Sequence, residues 1–463
     1  MRLSLEQVVN LTGGRLSAGT PGLVIEGIST DSRTIKPGQL FVPLRGENFD
    51  GHDFLVRALR NGAAACLSEE VIAGLSIPVI RVEDTLKALG DLAAGMRREF
   101  DGPVVAVTGS SGKTTTKEML ATVLAETGPG LKTEGNYNNL IGLPLTLFRM
   151  ESECGWAVLE MGMSERREIA RLAEIARPTV GIITNVGPAH LETLGGIEGV
   201  ARAKGELFAA LKPGSFAIFN ADDEKVVSLP VANGVTCIGF GMNPLARVRA
   251  EEIEEEDGEV RFTLVIDEKS STVKLPVPGK FHVMNALAAA AAALALKVEL
   301  GSIVAGLQAY RPLAGRMQTR RMAGGIVLLE DFYNANPLSM RAALEALSSY
   351  SEKGRRIAIL GDMLELGASS EELHRQVGEA AVKSCDLLVA FGSRARDIAE
   401  AAASAGLQGQ TVTFEQPEEV VNWLLPRLQA GDRLLIKGSR GMRMERIGEV
   451  LDAAWQRHMA ERG

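Results

Sequence analysis

The chain has 463 residues, of which 46 % are hydrophobic and 23 % charged, a composition typical of a folded globular protein. At roughly 150 residues per domain, this length predicts about three domains. The formal net charge of −8 excludes a general electrostatic attraction to nucleic acid or to an anionic membrane, so any anionic ligand requires a local binding site.

The cysteines and the apolar segments indicate the cellular environment. Four scattered cysteines without a CxxC pair argue against a disulfide framework or a zinc site and favour a reducing compartment. The N-terminal stretch MRLSLEQVVNLTGG predicts a short amphipathic helix ended by glycine rather than a signal peptide. The longest apolar run, residues 286–296, is too short to span a bilayer. We therefore expect a cytoplasmic protein.

The first hundred residues mix short strands, turns and helices, and they end near residues 101–103, where Asp-Gly-Pro predicts a hinge. A second unit opens with the apolar strand 104–107, followed by a glycine turn and by a helix that begins around Lys113. Helical stretches then alternate with further apolar strands, predicted at 156–159, 180–183 and 216–219. This alternation predicts a largely parallel α/β sheet.

Between residues 245 and 266 the pattern changes. Asp257-Gly258 predicts a hairpin turn, and the strand after it is indicated by the alternating apolar residues Val260, Phe262, Leu264 and Ile266. The glutamate cluster before the turn is most simply a solvated strand edge or loop, with a binding patch as the alternative. The alanine-rich segment after Asn285 predicts a closely packed helix.

A last segment begins after a boundary within residues 309–318. Its apolar strands are predicted at 326–329, 357–360, 387–391 and 434–436, separated by helical stretches. That spacing predicts an open sheet with helices on both faces. We therefore predict an α/β protein of three domains, spanning residues 1–101, 102–312 and 313–463.

The stretch VAVTGSSGKTTTKEML, residues 104–119, predicts a phosphate-binding loop of unusual form. A Walker A loop has a glycine five residues before its second glycine, but here Val107 occupies that position. A glycine turn at a helix N-terminus binds phosphate whatever its length, with Lys113 in reach of the outer phosphates and Thr114 placed for Mg²⁺. A plain strand–helix turn is the alternative, and the strand–turn–helix context argues against it.

Candidate metal ligands follow two neighbouring strands. Glu160 ends the strand after the phosphate loop, and His190 follows the next one, so both are expected at the carboxyl edge of the sheet. A carboxylate and the loop threonine suit Mg²⁺, whereas imidazole is not a favoured ligand and His190 alone indicates a hydrogen-bonding residue. Lys204 lies in a helical stretch, where most lysines are simply solvated.

These motifs together resemble a known family. The segments VTGSSGKTTTKEM, NYNNLIGLP, LEMGMS, TNVGPAHLE and AKGELF occur in the order found in the Mur ligases, the ATP-dependent amide-forming enzymes of peptidoglycan precursor synthesis. The shortened loop with an extra hydroxyl residue, Thr115, is that family's form of the phosphate loop. The resemblance implies a central P-loop ATPase-like domain flanked by an N-terminal UDP-binding domain and a C-terminal Rossmann-like domain.

Other segments narrow the resemblance to one branch of the family. The N-terminal STDSRTIKPGQLFVPLRGENFDGHDF and the C-terminal EDFYNANPLSM, LGDMLELG and KGSRGMRME are similar to the branch that adds D-Ala-D-Ala to UDP-MurNAc-tripeptide. The DNPR motif of the diaminopimelate-adding branch is absent. The resemblance implies an acyl-phosphate mechanism, these two small-molecule substrates, no nucleic acid, no membrane insertion, and a monomer. A sister ligase with another amine substrate, a non-ligating P-loop regulator and a nucleic-acid-dependent ATPase are the alternatives.

The resemblance also assigns roles residue by residue. The ATP site would comprise Gly109, Ser110, Ser111, Gly112, Lys113, Thr114, Thr115, Asn285, Arg316, Asn334 and Asn336. Two Mg²⁺ ions would be held by Thr114, Glu160, His190 and a carbamylated Lys204, which reverses the solvated interpretation of that lysine. The catalytic residues would be Lys113, His190, Lys204 and Arg316. The uridine nucleotide would be bound by Ser29, Asp31, Ser32, Arg33, Asn48, Asp50, Gly51 and His52.

One position departs from the family pattern. The family has G-x-H-N-x-x-N before the alanine-rich helix, whereas this chain reads GKFHVMN, so His282 replaces the first asparagine while Asn285 keeps its place. The KGSR segment, residues 437–440, is interpreted either as a contact to substrate carboxylates or as a surface loop. Whether the third residue of the peptide is meso-diaminopimelate or lysine is not decided by these motifs.

Overall fold

A computed structural model describes residues 2–17, 20–46, 48–72, 75–256, 258–350 and 354–460. Three stretches of chain follow one another, and each is built on its own mixed or parallel sheet with helices against it. The predicted α/β class is confirmed. Within the described residues, no helix has both the length and the apolar character needed to cross a membrane.

The N-terminal unit has seven short strands and three α-helices. The strands are β1 (Leu3–Ser4), β2 (Arg15–Leu16), β3 (Val24–Ile25), β4 (Ile28–Ser29), β5 (Leu40–Phe41), β6 (Ala65–Ser68) and β7 (Val79–Arg81). The helices are α1 (Leu5–Thr12), α2 (Leu55–Arg60) and α3 (Thr85–Arg97). Strands β4, β5, β6 and β7 pair in parallel, β2 joins β7 antiparallel, and β1 pairs with β3. The predicted N-terminal helix is confirmed, with a capping box at Ser4 and a left-handed Gly13 at its end.

The central unit is a nine-stranded sheet covered on both faces. Its strands are β8 (Val104–Thr108), β9 (Leu131–Lys132), β10 (Ala157–Glu160), β11 (Val180–Ile183), β12 (Phe216–Asn220), β13 (Thr236–Gly241), β14 (Val248–Glu256), β15 (Glu259–Ile266) and β16 (Lys269–Leu275). Its helices are α4 (Lys113–Ala125), α5 (Gly142–Leu147), α6 (Glu168–Ala176), α7 (Leu191–Leu194), α8 (Ile197–Ala210), α9 (Glu224–Val227), α10 (Phe281–Ala295) and α11 (Leu300–Ala309). The strand order is β16-β15-β14-β13-β12-β11-β8-β10-β9.

The central sheet agrees with the predicted pattern and extends beyond it. Strands β8 to β14 pair in parallel, as predicted for the apolar runs. The antiparallel pair β14–β15 is the predicted hairpin, and the addition of β16 to it was not predicted. The alternating residues of β15 are buried, as the hairpin interpretation requires, although Asp257 itself lies outside the described residues. The predicted solvated strand is confirmed in β14, which pairs with β13 at Val248 and Arg249 and runs on with exposed glutamates.

The C-terminal unit is a six-stranded sheet with helices on both faces, as predicted. Its strands are β17 (Gln318–Arg321), β18 (Val327–Glu330), β19 (Arg356–Gly361), β20 (Leu387–Phe391), β21 (Thr411–Phe414) and β22 (Arg433–Lys437). Its helices are α12 (Pro337–Ser348), α13 (Ser370–Ala381), α14 (Ala395–Ala402), α15 (Pro417–Leu424) and α16 (Glu445–Ala460). The order is β17-β18-β22-β19-β20-β21, parallel except for β17. Strand residues alternate between the two cores, with Ala358 in one and Ile357 in the other.

Parallel pairing explains where the functional side chains meet. Strands β8, β10 and β11 run side by side in the same direction, so the segments that follow them leave the same edge of the central sheet. The phosphate loop follows β8, Glu160 ends β10, and residues 184–190 follow β11. The carboxyl ends of adjacent parallel strands thus place residues that are far apart in sequence in one crevice.

Candidate active site

A cavity of about 940 Å³ lies at this edge of the central sheet, between the central and C-terminal units. The predicted residues from these two units that line it are Ser110, Ser111, Gly112, Lys113, Thr114, Thr115, Glu160, His190, Lys204, Asn285, Arg316, Asn334 and Asn336. This volume lies within the range of about 300–1,000 Å³ that is typical of small-molecule sites. The structure therefore brings together the residues predicted for nucleotide, metal and catalysis.

The phosphate loop has the geometry that its glycines indicate. A Cβ at Gly109 would collide with Thr184 Oγ1, and Gly112 has a left-handed φ of 78° directly before α4. Asn185 Oδ1 accepts the backbone N–H of Ser111 at 2.9 Å and so fixes the loop. Because the orphan N–H groups of the first turn of α4 end at the cavity, they can bind phosphate oxygens.

Two lysines, the half-buried Lys113 and the buried Lys204, line the same cavity. Lys113 Nζ donates to the carbonyl of Gly109 at 2.7 Å. Lys204 is 2 % exposed, and the described part of the chain offers it no acidic partner. Burial, with repulsion from Lys113 as the second cause, lowers the pKa of Lys204 well below its ordinary value. Burial also lowers the pKa of Lys113, while Glu160 opposes that shift. Burial and this repulsion therefore favour the neutral form of the Lys204 amine, which lies near Lys113.

The predicted metal ligands fit Mg²⁺ by their donor chemistry. Thr114 Oγ1 donates to Glu160 Oε2 at 2.7 Å, and both side chains are buried. The other carboxylate oxygen, Oε1, accepts from Asn138 Nδ2 at 2.8 Å, which fixes the orientation of Glu160. Hydroxyl and carboxylate oxygens are the hard ligands that Mg²⁺ prefers. The described residues contain no cluster of three or more acidic, histidine or cysteine side chains suited to a metal.

His190 lines the cavity and also contacts the C-terminal unit. It precedes α7 with a left-handed φ of 54°. Its Nδ1 lies 2.6 Å from Glu365 Oε2, on the loop that follows β19. The imidazole is therefore held between the two units rather than by the central unit alone.

The C-terminal unit contributes a cation and two asparagines. The guanidinium carbon of Arg316 lies 4.0 Å from the centre of the Tyr333 ring, a cation–π contact that orients the arginine. Asn336 caps α12 through its Oδ1, and its Nδ2 donates to the carbonyl of Ser110 at 3.2 Å, so it joins the C-terminal unit to the phosphate loop. Asn334 lines the cavity nearby.

The KGSR segment, residues 437–440, is interpreted from the sequence either as a substrate contact or as a surface loop, and only part of it lies at the surface. Lys437 and Ser439 are buried, and Lys437 Nζ donates to Asp331 Oδ2 at 2.6 Å and to the carbonyl of Asn334 at 2.9 Å. Ser439 Oγ accepts the N–H of Leu364 at 2.9 Å. The exposed Arg440 alone matches a surface position. Lys437 thus fixes Asp331 and Asn334, which line the cavity, whereas Ser439 fixes the loop of Leu364.

His282 is a buried imidazole without a hydrogen bond. It lines the cavity, is 1 % exposed, and neither ring nitrogen has a partner among the described residues. Its ring packs on Phe281 with centroids 4.3 Å apart. Burial lowers its pKa to about 3, so the ring is neutral in the folded protein. An unpaired buried polar group costs about 1–3 kcal/mol.

We expect His282→Phe to raise the free energy of unfolding of the nucleotide-free protein by about 1 kcal/mol, because the unpaired nitrogens disappear. The stability of the wild type should fall as the pH drops from 6.5 towards 3, because the unfolded imidazole binds a proton that the folded one does not; each pH unit in that window costs up to about 1.4 kcal/mol. The variant should lose this part of the acid dependence. Urea unfolding at pH 4, 5.5 and 7.5 measures the free energy of unfolding of both proteins. The same dependence of that free energy on pH in the wild type and in the variant would contradict the prediction.

The residues predicted for the uridine nucleotide form a second group, at the carboxyl edge of β4 and β5. Arg33 makes a two-pronged pair with Asp31, through Nε to Oδ1 at 2.9 Å and Nη2 to Oδ2 at 2.7 Å. That pairing lowers the pKa of Asp31 to about 2. Ser29 Oγ donates to the carbonyl of Asp31 at 3.1 Å, and Ser32 is buried beside them.

The second predicted loop of that group follows β5, and the first follows the neighbouring parallel strand β4. Asp50 Oδ1 accepts from both the N–H and Nδ1 of His52, and His52 Nε2 accepts the N–H of Glu69. Gly51 allows the chain to pass Leu44, whose backbone a Cβ would meet, and Asn48 is exposed. The eight residues do not share the lining of the large cavity, so the chain has two separate groups of candidate binding residues.

The sequence interpretation missed residues that orient the predicted ones. Asn138 fixes Glu160, Asn185 fixes the phosphate loop, and Tyr333 stacks on Arg316. Each of these three residues lies inside one of the motifs that carry the family resemblance, and its place in the motif was the signal that could have identified it. Periodicity could not single them out, because an asparagine in a loop is equally typical of a turn.

Comparisons with known proteins agree with this arrangement. Three family models match the chain: "Mur ligase family, catalytic domain" at residues 24–97, "Mur ligase middle domain" at 107–293, and "Mur ligase, glutamate ligase domain" at 315–440. UDP-N-acetylmuramoyl-tripeptide--D-alanyl-D-alanine ligase of Escherichia coli is 37 % identical, over 97 % of this chain and 98 % of its own length. The enzyme of that name from Synechocystis is 40 % identical over 90 % of both chains.

Solved structures are similar over the same span. The crystal structure of MurF from Acinetobacter baumannii superimposes with a TM-score of 0.91 at 35 % identity, covering 98 % of this chain and 99 % of that one. MurF from Thermotoga maritima in complex with ADP has a TM-score of 0.85 at 30 % identity, covering 94 % and 98 % of the two chains. With near-complete coverage by relatives above 30 % identity, and with the phosphate loop and its facing unit in place, the chain belongs to the Mur ligase family.

Proposed function

We propose that this protein is an ATP-dependent ligase that joins D-Ala-D-Ala to UDP-MurNAc-tripeptide and forms the pentapeptide precursor of peptidoglycan. The observation that carries the proposal is the interdomain cavity, where the phosphate loop, Glu160 and the buried Lys204 face Arg316 of the C-terminal unit. The relatives named for this activity match almost the entire chain, which supports the same substrates. A cytoplasmic location is proposed from the cysteines and the apolar segments of the sequence, and a monomeric state from the resemblance alone.

The reaction requires activation of a carboxylate, which is a poor electrophile. The terminal carboxylate of the tripeptide attacks the γ-phosphorus of ATP, ADP leaves, and an acyl phosphate forms. Lys113 and the N–H groups of the phosphate loop neutralise the charge that develops on the phosphoryl oxygens. The free amine of D-Ala-D-Ala then attacks the acyl carbon, and the tetrahedral intermediate expels phosphate as the amide forms.

We propose that Thr114 and Glu160, with His190, hold Mg²⁺, and that Lys204 is carbamylated. Mg²⁺ held by these residues would supply positive charge that stabilises the phosphate oxygens. A neutral lysine amine can add to CO₂ and lose a proton, which forms an N–C bond and leaves an anionic carbamate. The low pKa of the buried Lys204 favours the neutral amine that this addition needs. The carbamate would supply the second acidic ligand missing from the described residues.

We propose three domains with limits at 1–101, 102–312 and 313–463, supported by the separate sheets of the three units. The N-terminal domain would bind the uridine nucleotide through Ser29, Asp31, Ser32 and Arg33 and the loop of Asn48, Asp50, Gly51 and His52, which lie at the carboxyl edge of their sheet. ATP would be bound between the other two domains. Closure of the C-terminal domain would exclude the water that hydrolyses acyl phosphates.

We expect phosphate release from MgATP to require both UDP-MurNAc-tripeptide and D-Ala-D-Ala, because the acyl phosphate is consumed only when the amine is present. Release is measured with a coupled phosphate assay, and the pentapeptide product by mass spectrometry. Single L-amino acids replace the dipeptide as the matched control. Release that responds only to another amine would identify a sister ligase. ATP binding without release for any amine would favour a regulator.

A further inference from the structure

The contact between His190 and Glu365 joins two units of the fold at the cavity. Nδ1 of His190 and Oε2 of Glu365 are 2.6 Å apart, a short ion-pair or charge-assisted hydrogen-bond distance. Glu365 belongs to the loop between β19 and the C-terminal helices, whereas His190 belongs to the central unit.

The loop that bears Glu365 is fixed on its own domain. The N–H of Met363 donates to His374 Nε2 at 2.9 Å, and the N–H of Leu364 donates to Ser439 Oγ at the same distance. Beyond Glu365, a Cβ at Gly367 would lie 3.3 Å from Glu192 Cβ, so the loop packs closely on α7. Glu365 and His190 both have left-handed φ values, 63° and 54°. The side chains therefore meet because two fixed segments face each other.

The contact selects one ring tautomer of His190. At 2.6 Å the Oε2 atom of Glu365 accepts a hydrogen bond and Nδ1 donates it, so a neutral ring has its proton on Nδ1. Nε2 then has a free lone pair, and the ring lines the cavity that contains Thr114 and Glu160. In metalloproteins a ligating histidine almost always donates its other N–H to a carboxylate or carbonyl, and loss of that partner typically lowers metal affinity 10–100-fold.

We propose that Glu365 is a positioning residue that the C-terminal domain supplies to His190, so that His190 presents Nε2 to the metal only when the domains are closed. This inference rests on the proposed metal site. It extends that site, because it makes the orientation of a central-domain ligand depend on a side chain of another domain. Opening of the cleft withdraws the carboxylate and leaves the imidazole free to turn.

The test measures binding of Mn²⁺, as a paramagnetic substitute for Mg²⁺, to the full chain with ADP. We expect Glu365→Ala to weaken Mn²⁺ binding about 10-fold. In electron spin-echo spectra, the variant should also show less of the ¹⁴N modulation that Nε2 of His190 causes when it binds Mn²⁺. Glu365→Gln, which keeps an accepting oxygen, should lie between Glu365→Ala and wild type. The exposed Glu371, on the following helix, gives the control variant Glu371→Ala, which should bind Mn²⁺ like wild type.

A double-mutant cycle separates positioning from a general effect on the domain. In a His190→Ala background, Glu365→Ala should cause no further loss of Mn²⁺ affinity, because the two residues act as a unit. The Glu365 side chain is 65 % exposed, so its removal should leave the melting temperature unchanged. Wild-type Mn²⁺ affinity and undiminished ¹⁴N modulation in Glu365→Ala would overturn the proposal. The proposal would also be overturned if the wild type were an active ligase but its bound Mn²⁺ showed no ¹⁴N modulation. If the wild type had neither ligase activity nor Mn²⁺–ADP binding, the proposed function itself would be rejected.

Discussion

Lys204→Arg is expected to lower kcat of the ligase reaction by about 10³-fold, comparable to the loss of a strong electrostatic contribution in other enzymes. Arginine keeps a positive charge but cannot form the carbamate, so the site would keep one acidic ligand, Glu160. The measurement is phosphate release with both substrates at saturation. The exposed Lys212, just after α8, gives the matched control Lys212→Arg, which should retain full activity.

A second measurement distinguishes carbamylation from an ordinary electrostatic role of Lys204. With ¹³C-bicarbonate, the wild type should show a carbamate resonance at neutral pH that Lys204→Arg lacks and Lys212→Arg keeps. Lys204→Met in CO₂-depleted buffer should unfold at a higher temperature than wild type, because a buried amine with a lowered pKa opposes folding at neutral pH. An active Lys204→Arg, or a resonance that survives it, would contradict the carbamate.

Lys113→Met is expected to reduce kcat/KM for MgATP by about 10³-fold, because no other group replaces the ammonium charge at the outer phosphates. Methionine has a similar length and keeps the packing of the loop. Steady-state kinetics with varied ATP give the value, and Lys212→Met is the control. A loss of kcat/KM below about 10-fold would show that the loop N–H groups and the metal stabilise the phosphate charge without Lys113.

The same variant tests the coupling between the two lysines. Repulsion from Lys113 contributes to the lowered pKa of Lys204. When that charge is removed, the pKa of Lys204 should rise towards its ordinary value and less neutral amine should be available at neutral pH. The ¹³C carbamate resonance of Lys113→Met should therefore appear at higher pH than in wild type. An unchanged pH dependence would show that burial alone sets the state of Lys204.

Much of the fold could be predicted because its signals are local. Apolar runs separated by glycine turns predicted β8, β11 and β20 with boundaries close to the observed ones, and the glycines before Lys113 predicted the loop and the start of α4. The runs at 156–159 and 326–329 begin one residue later in the structure, at Ala157 and Val327. The strands β17 and β21 were missed, because they are short edge strands whose residues alternate less clearly.

The sequence by itself determined the units that a few neighbouring residues define: the strand, the glycine loop, the helix after it, and the carboxylate at the end of β10. Only the tertiary structure decided three properties of the site. It buried Lys204 beside Lys113, it left His282 without a partner, and it placed Glu365 against His190. The physical reason is that a pKa, an unsatisfied nitrogen and an interdomain ion pair depend on what surrounds a side chain in space, and those neighbours are remote along the chain.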